Sequence, residues 1–122
     1  MGQKVSSVSL APGEGTVGVG YAEASPRGCF CATIDVGSGN VIAEYNAHTD
    51  DCRSVDFSPD GRWLLTGGAD GLVTLVDTRR HVVASTFRKH VDKVTAVKWH
   101  PKVPAFLTSS ADRSALLWGS TE

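Results

Sequence analysis

The segment HTDDCRSVDFSPDGRWLLTGGADG, residues 48–71, brings a histidine, several carboxylates, a cysteine and two serines into one short stretch. These are the residue types of nucleophilic catalysis, in which an acid orients an imidazole and the imidazole activates a hydroxyl or thiol. A second candidate is GEGTVG, Gly13–Gly18, which satisfies the glycine pattern of dinucleotide-binding loops and has Asp35 some twenty residues downstream. A third is the close pair Cys29 and Cys31, which could serve redox or metal chemistry. The N-terminal MGQKVS fits the pattern for N-myristoylation, with Gly2 as the acceptor once Met1 is removed.

Chemistry at any of these places depends on the elements that hold them. Short runs rich in Val, Leu, Thr and Trp recur (RSVDF, RWLLTGG, LVTLVD, KVTAVKW), each closed within a few residues by Gly, Pro, Asp or Ser. No stretch keeps a helical period, so an all-β chain of many short strands is expected. This decides against the glycine loop. Dinucleotide loops need a helix directly after the glycines, whose N-terminal amides hold the pyrophosphate, and TVGVGY reads as a strand.

Sliding the sequence along itself accounts for the first segment. Residues 48–77 match residues 90–119 without a gap, with nine identities in thirty pairs: His48/His90, Asp50/Asp92, Val55/Val97, Pro59/Pro101, Leu65/Leu107, Thr66/Thr108, Ala69/Ala111, Asp70/Asp112 and Leu75/Leu117. About two are expected from average composition. The same displacement of 42 residues carries upstream to Asp35/Asp77 and Val41/Val83, and VSSVSLAP (5–12) aligns with CRSVDFSP (52–59) at a displacement of 47. An arrangement that recurs in successive repeats is structural rather than catalytic, and no catalytic residue is assigned.

A period near 42 with His at its start, Asp in a tight turn and Trp closing a strand resembles the WD40 family, above all in HVDKVTAVKWHP and LTSSADRSALLW, between His90 and Trp118. The resemblance implies propeller blades of four-stranded antiparallel sheet, about three of them and not closed within this chain. The division expected is a flexible arm at 1–4, a divergent first blade at 5–47, a second at 48–89 and a third at 90–122 that lacks its outermost strand. In the second blade the strands are expected at 53–57, 63–68, 72–76 and 82–87. Such an array leaves blade faces uncovered, so either further blades of a longer protein or a second copy making a six-blade ring is expected to cover them. The resemblance further implies a hydrogen-bonded cluster of His, Ser or Thr, Asp and Trp. It carries over to His90, Thr108, Asp112 and Trp118, and to His48, Thr66 and Asp70, where Val76 replaces the tryptophan. Cys31 and Cys52 align with small hydrophobes of other repeats, and Cys29 lies beside a loop as the most exposed thiol. No cofactor or metal is expected.

What remains is surface. One rim of the array is expected to carry Thr49, Asp50, Asp51, Arg53 and Asp92, together with the long loop Ala22–Gly28 that includes Glu23 and Arg27. Irregular loops on a rigid scaffold are where binding specificity tends to lie, so these residues are the expected partner-binding set. The opposite rim collects Arg62, Arg79, Arg80, His81 and Lys102, a basic strip that could contact phosphate or RNA. Twelve Lys and Arg against thirteen Asp and Glu give a formal charge of −1, so no broad attraction to nucleic acid or to an anionic membrane is expected. Three cysteines without zinc-finger spacing favour reduced thiols. No apolar run approaches the roughly 18 residues of a spanning helix, and the N-terminus lacks a signal-peptide core. These features imply an intracellular protein of the cytoplasm or nucleus, a noncatalytic scaffold binding other proteins. The alternative is an adaptor held reversibly at membranes by an acyl chain on Gly2.

Overall fold

The structure, a computed structural model, describes residues 4–13, 15–25, 28–102 and 104–119. Eleven strands run through them and no helix. β1 (Val5–Leu10), β2 (Thr16–Tyr21), β3 (Cys31–Asp35) and β4 (Val41–Tyr45) pair in chain order as one antiparallel sheet. β5 (Cys52–Phe57), β6 (Trp63–Gly68), β7 (Val73–Asp77) and β8 (Val82–Phe87) form the second sheet. β9 (Val94–Trp99), β10 (Ala105–Ser110) and β11 (Ala115–Gly119) form the third. The three sheets do not close into a ring.

Each strand is short because the sequence stops it. Asp60–Gly61 turns β5 into β6 with Gly61 at φ 75°, and Asp70–Gly71 turns β6 into β7 with Gly71 at φ 81°, a backbone region that glycine enters without steric cost. In the third sheet the residue matching Gly71 is Arg113, which adopts φ 72° despite its side chain. GEGTVG takes the same role in the first sheet. Gly13 and Gly15, at φ 68° and 64°, lie between β1 and β2, and Gly18 is already inside β2, a strand where a phosphate cradle needs a helix.

The innermost strands β1, β5 and β9 lie side by side, and the apolar core is laid down between sheets. Tyr45, Cys31, Cys52, Phe57, Leu64 and Val76 fill the first junction, while Leu65, Val73, Val94, Val97 and Phe106 fill the second with Phe87, Trp99 and Trp118 around them. The two junctions share a polar device that the repeat alignment did not reveal. Ser7 and Ser9 of β1 accept the backbone N–H groups of Val55 and Phe57, both at 3.2 Å. One repeat later Ser54 and Asp56 of β5 accept those of Val97 and Trp99, at 3.2 and 2.7 Å. Inner-strand amides that have no neighbouring strand to bond are thereby satisfied by side chains of the preceding sheet.

Candidate functional site

The residues with chemical potential sit at the rim where the segment before each inner strand meets the turn between the sheet's second and third strands. In the third sheet His90 Nδ1 lies 3.1 Å from Asp112 Oδ2, and His90 Nε2 lies 2.8 Å from Thr108 Oγ1. The Trp118 indole N–H donates to the same hydroxyl at 2.9 Å. A carboxylate only accepts, so Nδ1 carries the proton toward Asp112, and in that tautomer Nε2 accepts from Thr108. The relay therefore runs from Trp118 through Thr108 and His90 to Asp112. Asp112 also accepts the N–H groups of Val91 and Ser114 and the Ser114 hydroxyl. The Ser114 hydroxyl, against the opposing effect of desolvation, holds the Asp112 carboxyl far below its ordinary value.

The second sheet repeats the geometry with one change. His48 Nδ1 stands 3.0 Å from Asp70 Oδ1 and Nε2 stands 2.7 Å from Thr66 Oγ1. Asp70 accepts from Thr49 N–H at 2.8 Å and Leu72 N–H at 3.1 Å. Burial pushes the Asp70 carboxyl up, but the bonds from His48 and from these amides outweigh it and leave it below the usual carboxylate range. Val76 offers no indole to Thr66, yet the hydroxyl is not left short of a partner, because Thr74 sits opposite it in the β6–β7 register and bonds it directly. Thr74 and Ser114 are members of the clusters that repeat matching misses, since Leu116 and Leu72 stand at the corresponding positions. A Thr facing a Thr across an antiparallel pair was the available signal.

No nucleophile stands free in either relay. Both hydroxyls are buried, and each imidazole is engaged at both nitrogens. The arrangement satisfies buried polar atoms and locks each sheet's turn to the segment entering that same sheet.

The family comparison agrees with this geometry. The sequence profile described as "WD domain, G-beta repeat" matches residues 39–77 and 82–119. The chain belongs to the WD40 repeat family. It is 35% identical over 75 residues to the Periodic tryptophan protein 2 homolog of Caenorhabditis elegans, covering 62% of this chain and 8% of that protein. It is 37% identical over 62 residues to Pre-mRNA-processing factor 19 of the same organism, covering 51% of this chain and 13% of that one. Among solved structures it superposes on the RRP9 WD40 repeats with a TM-score of 0.86 at 18% identity, over 98% of this chain and 36% of that one. The WD40 chain thus spans a small part of the relatives it matches.

The rim residues divide. Glu23, Thr49, Asp50, Arg53 and Asp92 are exposed, whereas Asp51 is half-buried and receives the Arg53 guanidinium at 2.9 Å. The long first loop is pinned by Ser25, which is buried, accepts Cys29 N–H at 3.1 Å and donates to Glu44 at 3.1 Å. Arg27 and Gly2 lie outside the described residues.

On the other rim Arg79, Arg80, His81 and Lys102 are exposed. Arg62 folds over the Trp63 ring at 4.7 Å and reaches Asp77 at 3.4 Å, and Arg80 stands 4.0 Å from the same carboxylate. The strip is therefore partly neutralised by a buried Asp77 that a count of cations overlooks.

Cys31 and Cys52 are buried like the small hydrophobes they align with. Cys29 is the most exposed of the three, but at 8% it is buried, and Cys31 and Cys52 are at 0%. The neighbour of the Cys31 thiol is Cys52, on the adjoining sheet. A hydrogen bond that the Cys31 thiol donates to Cys52, followed by burial, pushes the Cys31 thiol well above its ordinary value. With His48, these two cysteines bring three buried donor atoms within 4.8 Å of one another.

Proposed function

We propose that this WD40 chain is a noncatalytic scaffold that binds other proteins through the rim carrying Glu23, Thr49, Asp50, Arg53 and Asp92. What supports the reading is how the side chains are used. His48, His90 and the Asp70 and Asp112 carboxylates spend their bonding capacity inside the sheets, while the exposed Glu23, Asp50 and Asp92 lie on loops anchored to a rigid array. Exposed apolar side chains on the outer faces, Leu10 at 72% and Leu117 at 75% among them, fit further blades or a second copy packing there. Because Cys31 and Cys52 lie side by side as thiols rather than as a disulfide, the proposed setting is the reducing interior of the cell.

Affinity capture with quantitative mass spectrometry tests the reading. Asp50→Lys with Asp92→Lys is expected to deplete the captured partners while leaving the circular dichroism spectrum and melting point unchanged. Arg79→Glu with Arg80→Glu is expected to have little effect, because Asp77 already offsets the cations beside them. Loss of partners only in the second variant would refute the rim assignment.

A further inference from the structure

The junction between the first two sheets sets two thiols, which the relay does not use, beside its histidine. Cys31 lies on β3, Cys52 opens β5 and His48 precedes β5, so each comes from a different element. Their donor atoms converge within 4.8 Å, and the residues are 0%, 0% and 2% exposed. The next junction of the same chain serves as an internal comparison. There the residues matching Cys31 and Cys52 are Val73 and Val94, both buried, beside His90 in the same relay. Packing at this place is thus met by two valines, and the thiols add something that packing does not need.

We propose that Cys31, Cys52 and His48 form a zinc(II) site that staples the first blade to the second. Two thiolates and a neutral imidazole match zinc in type and leave a buried site without net charge. Tetrahedral zinc requires sulfurs about 3.7 Å apart and sulfur and nitrogen about 3.5 Å apart, so from the 4.8 Å limit the three donors need to close by at most about 1.3 Å. The Asp70 carboxylate at His48 Nδ1 already holds the ring with Nε2 turned inward, which is the orientation that second-shell carboxylates give to metal-binding histidines. When the metal takes the place of the Thr66 hydroxyl at Nε2, that hydroxyl moves aside and keeps Thr74 as its partner. In the third sheet the same change would strip Thr108 of its histidine and leave it only the indole of Trp118. Linear spacing hides the site, because residues 31, 48 and 52 do not form a zinc-finger pattern.

The test uses the full chain purified under reductant and stripped of metal, titrated with zinc(II) against a chromophoric chelator and, separately, with cobalt(II) as a spectroscopic stand-in. One equivalent of zinc is expected to bind with sub-micromolar affinity and to raise the melting temperature. Cobalt is expected to give sulfur-to-metal charge transfer and the strong visible bands of a tetrahedral centre. Cys31→Val with Cys52→Val, which copies the next junction, is expected to abolish both signals, and Cys29→Ser to leave both in place. Three results overturn the site: no saturable zinc binding, a cobalt spectrum without charge transfer, or binding that survives the double valine variant. The cobalt spectrum of the unsubstituted chain decides the matter even if the double variant does not fold.

Discussion

Thr108→Val isolates the polar relay from the packing around it, because valine keeps the shape of threonine and removes only the hydroxyl. Thr108 is 1% exposed, and its oxygen serves two groups, accepting from Trp118 Nε1 at 2.9 Å and donating to His90 Nε2 at 2.8 Å. The His90 side chain is fully buried, so Nε2 loses the Thr108 hydroxyl with no water to replace it, and orphaning a buried acceptor costs about 1–3 kcal/mol. The Trp118 indole is half-buried and can be hydrated, so its lost bond adds about 0.5–1 kcal/mol. The expected loss is therefore on the order of 2–3 kcal/mol. Thr108→Ser keeps the hydroxyl and removes one methyl, for about 1 kcal/mol. Urea unfolding followed by far-ultraviolet circular dichroism measures both as shifts in midpoint at unchanged slope. In a Trp118→Phe background the Thr108→Val penalty should shrink by about 0.5–1 kcal/mol, the coupling of one lost bond. A valine variant no less stable than the serine variant, or a penalty indifferent to Trp118→Phe, would refute the relay as described.

Other substitutions test neighbouring parts of the same structure. Arg113 holds φ 72° where the matching residue is Gly71, so Arg113→Gly is expected to raise the urea midpoint, by about 0.5–1 kcal/mol once the extra flexibility of glycine in the unfolded chain is deducted. Gly68→Ala should do the opposite. A Cβ there would stand 2.5 Å from His48 Nδ1 and 2.8 Å from Asp70 Oδ1, prising the pair apart at a cost of about 1–3 kcal/mol in thermal or urea unfolding. The Asp70 carboxyl, held below its ordinary 3.8 in the folded state, contributes stability that is present above the unfolded value and lost as pH falls through the folded one. Melting temperature is accordingly expected to fall steeply below pH 4, and Asp70→Asn to flatten that dependence.

Local relations within one repeat were legible in the sequence, and relations between sheets were not. β5–β8 run 52–57, 63–68, 73–77 and 82–87, where the repeat comparison expected 53–57, 63–68, 72–76 and 82–87. The period-2 runs and their Asp–Gly stops carry that information directly. His48, Asp70 and Thr66 could be grouped because the same three residue types recur 42 positions later. Thr74 could not, because its repeat counterpart is Leu116 and its partnership with Thr66 depends on strand register. The neutralisation of the basic rim was hidden for a similar reason: Arg62 and Asp77 are 15 residues apart and meet only when β6 pairs with β7.

The cross-sheet bonds explain why the blades do not act as separate units. Val55 and Phe57 depend on Ser7 and Ser9 for their amide partners, and Val97 and Trp99 depend on Ser54 and Asp56. A sheet parted from the one before it exposes apolar surface and also strands two inner-strand amides. The glycines of the second strands reinforce the dependence. A Cβ at Gly18 would strike Leu64 at 2.7 Å, and one at Gly20 would strike Cys52 Sγ at 2.9 Å, so the first sheet omits side chains where the second must approach. Gly67 does the same toward Val94 and Val97. Stability in such an array is a sum over sheets and the junctions between them, and here the junctions are built into the sequence at positions that look unremarkable within any single repeat. Substitutions on β1 should therefore be felt in β5, a sheet away, more strongly than their exposure on β1 alone would suggest.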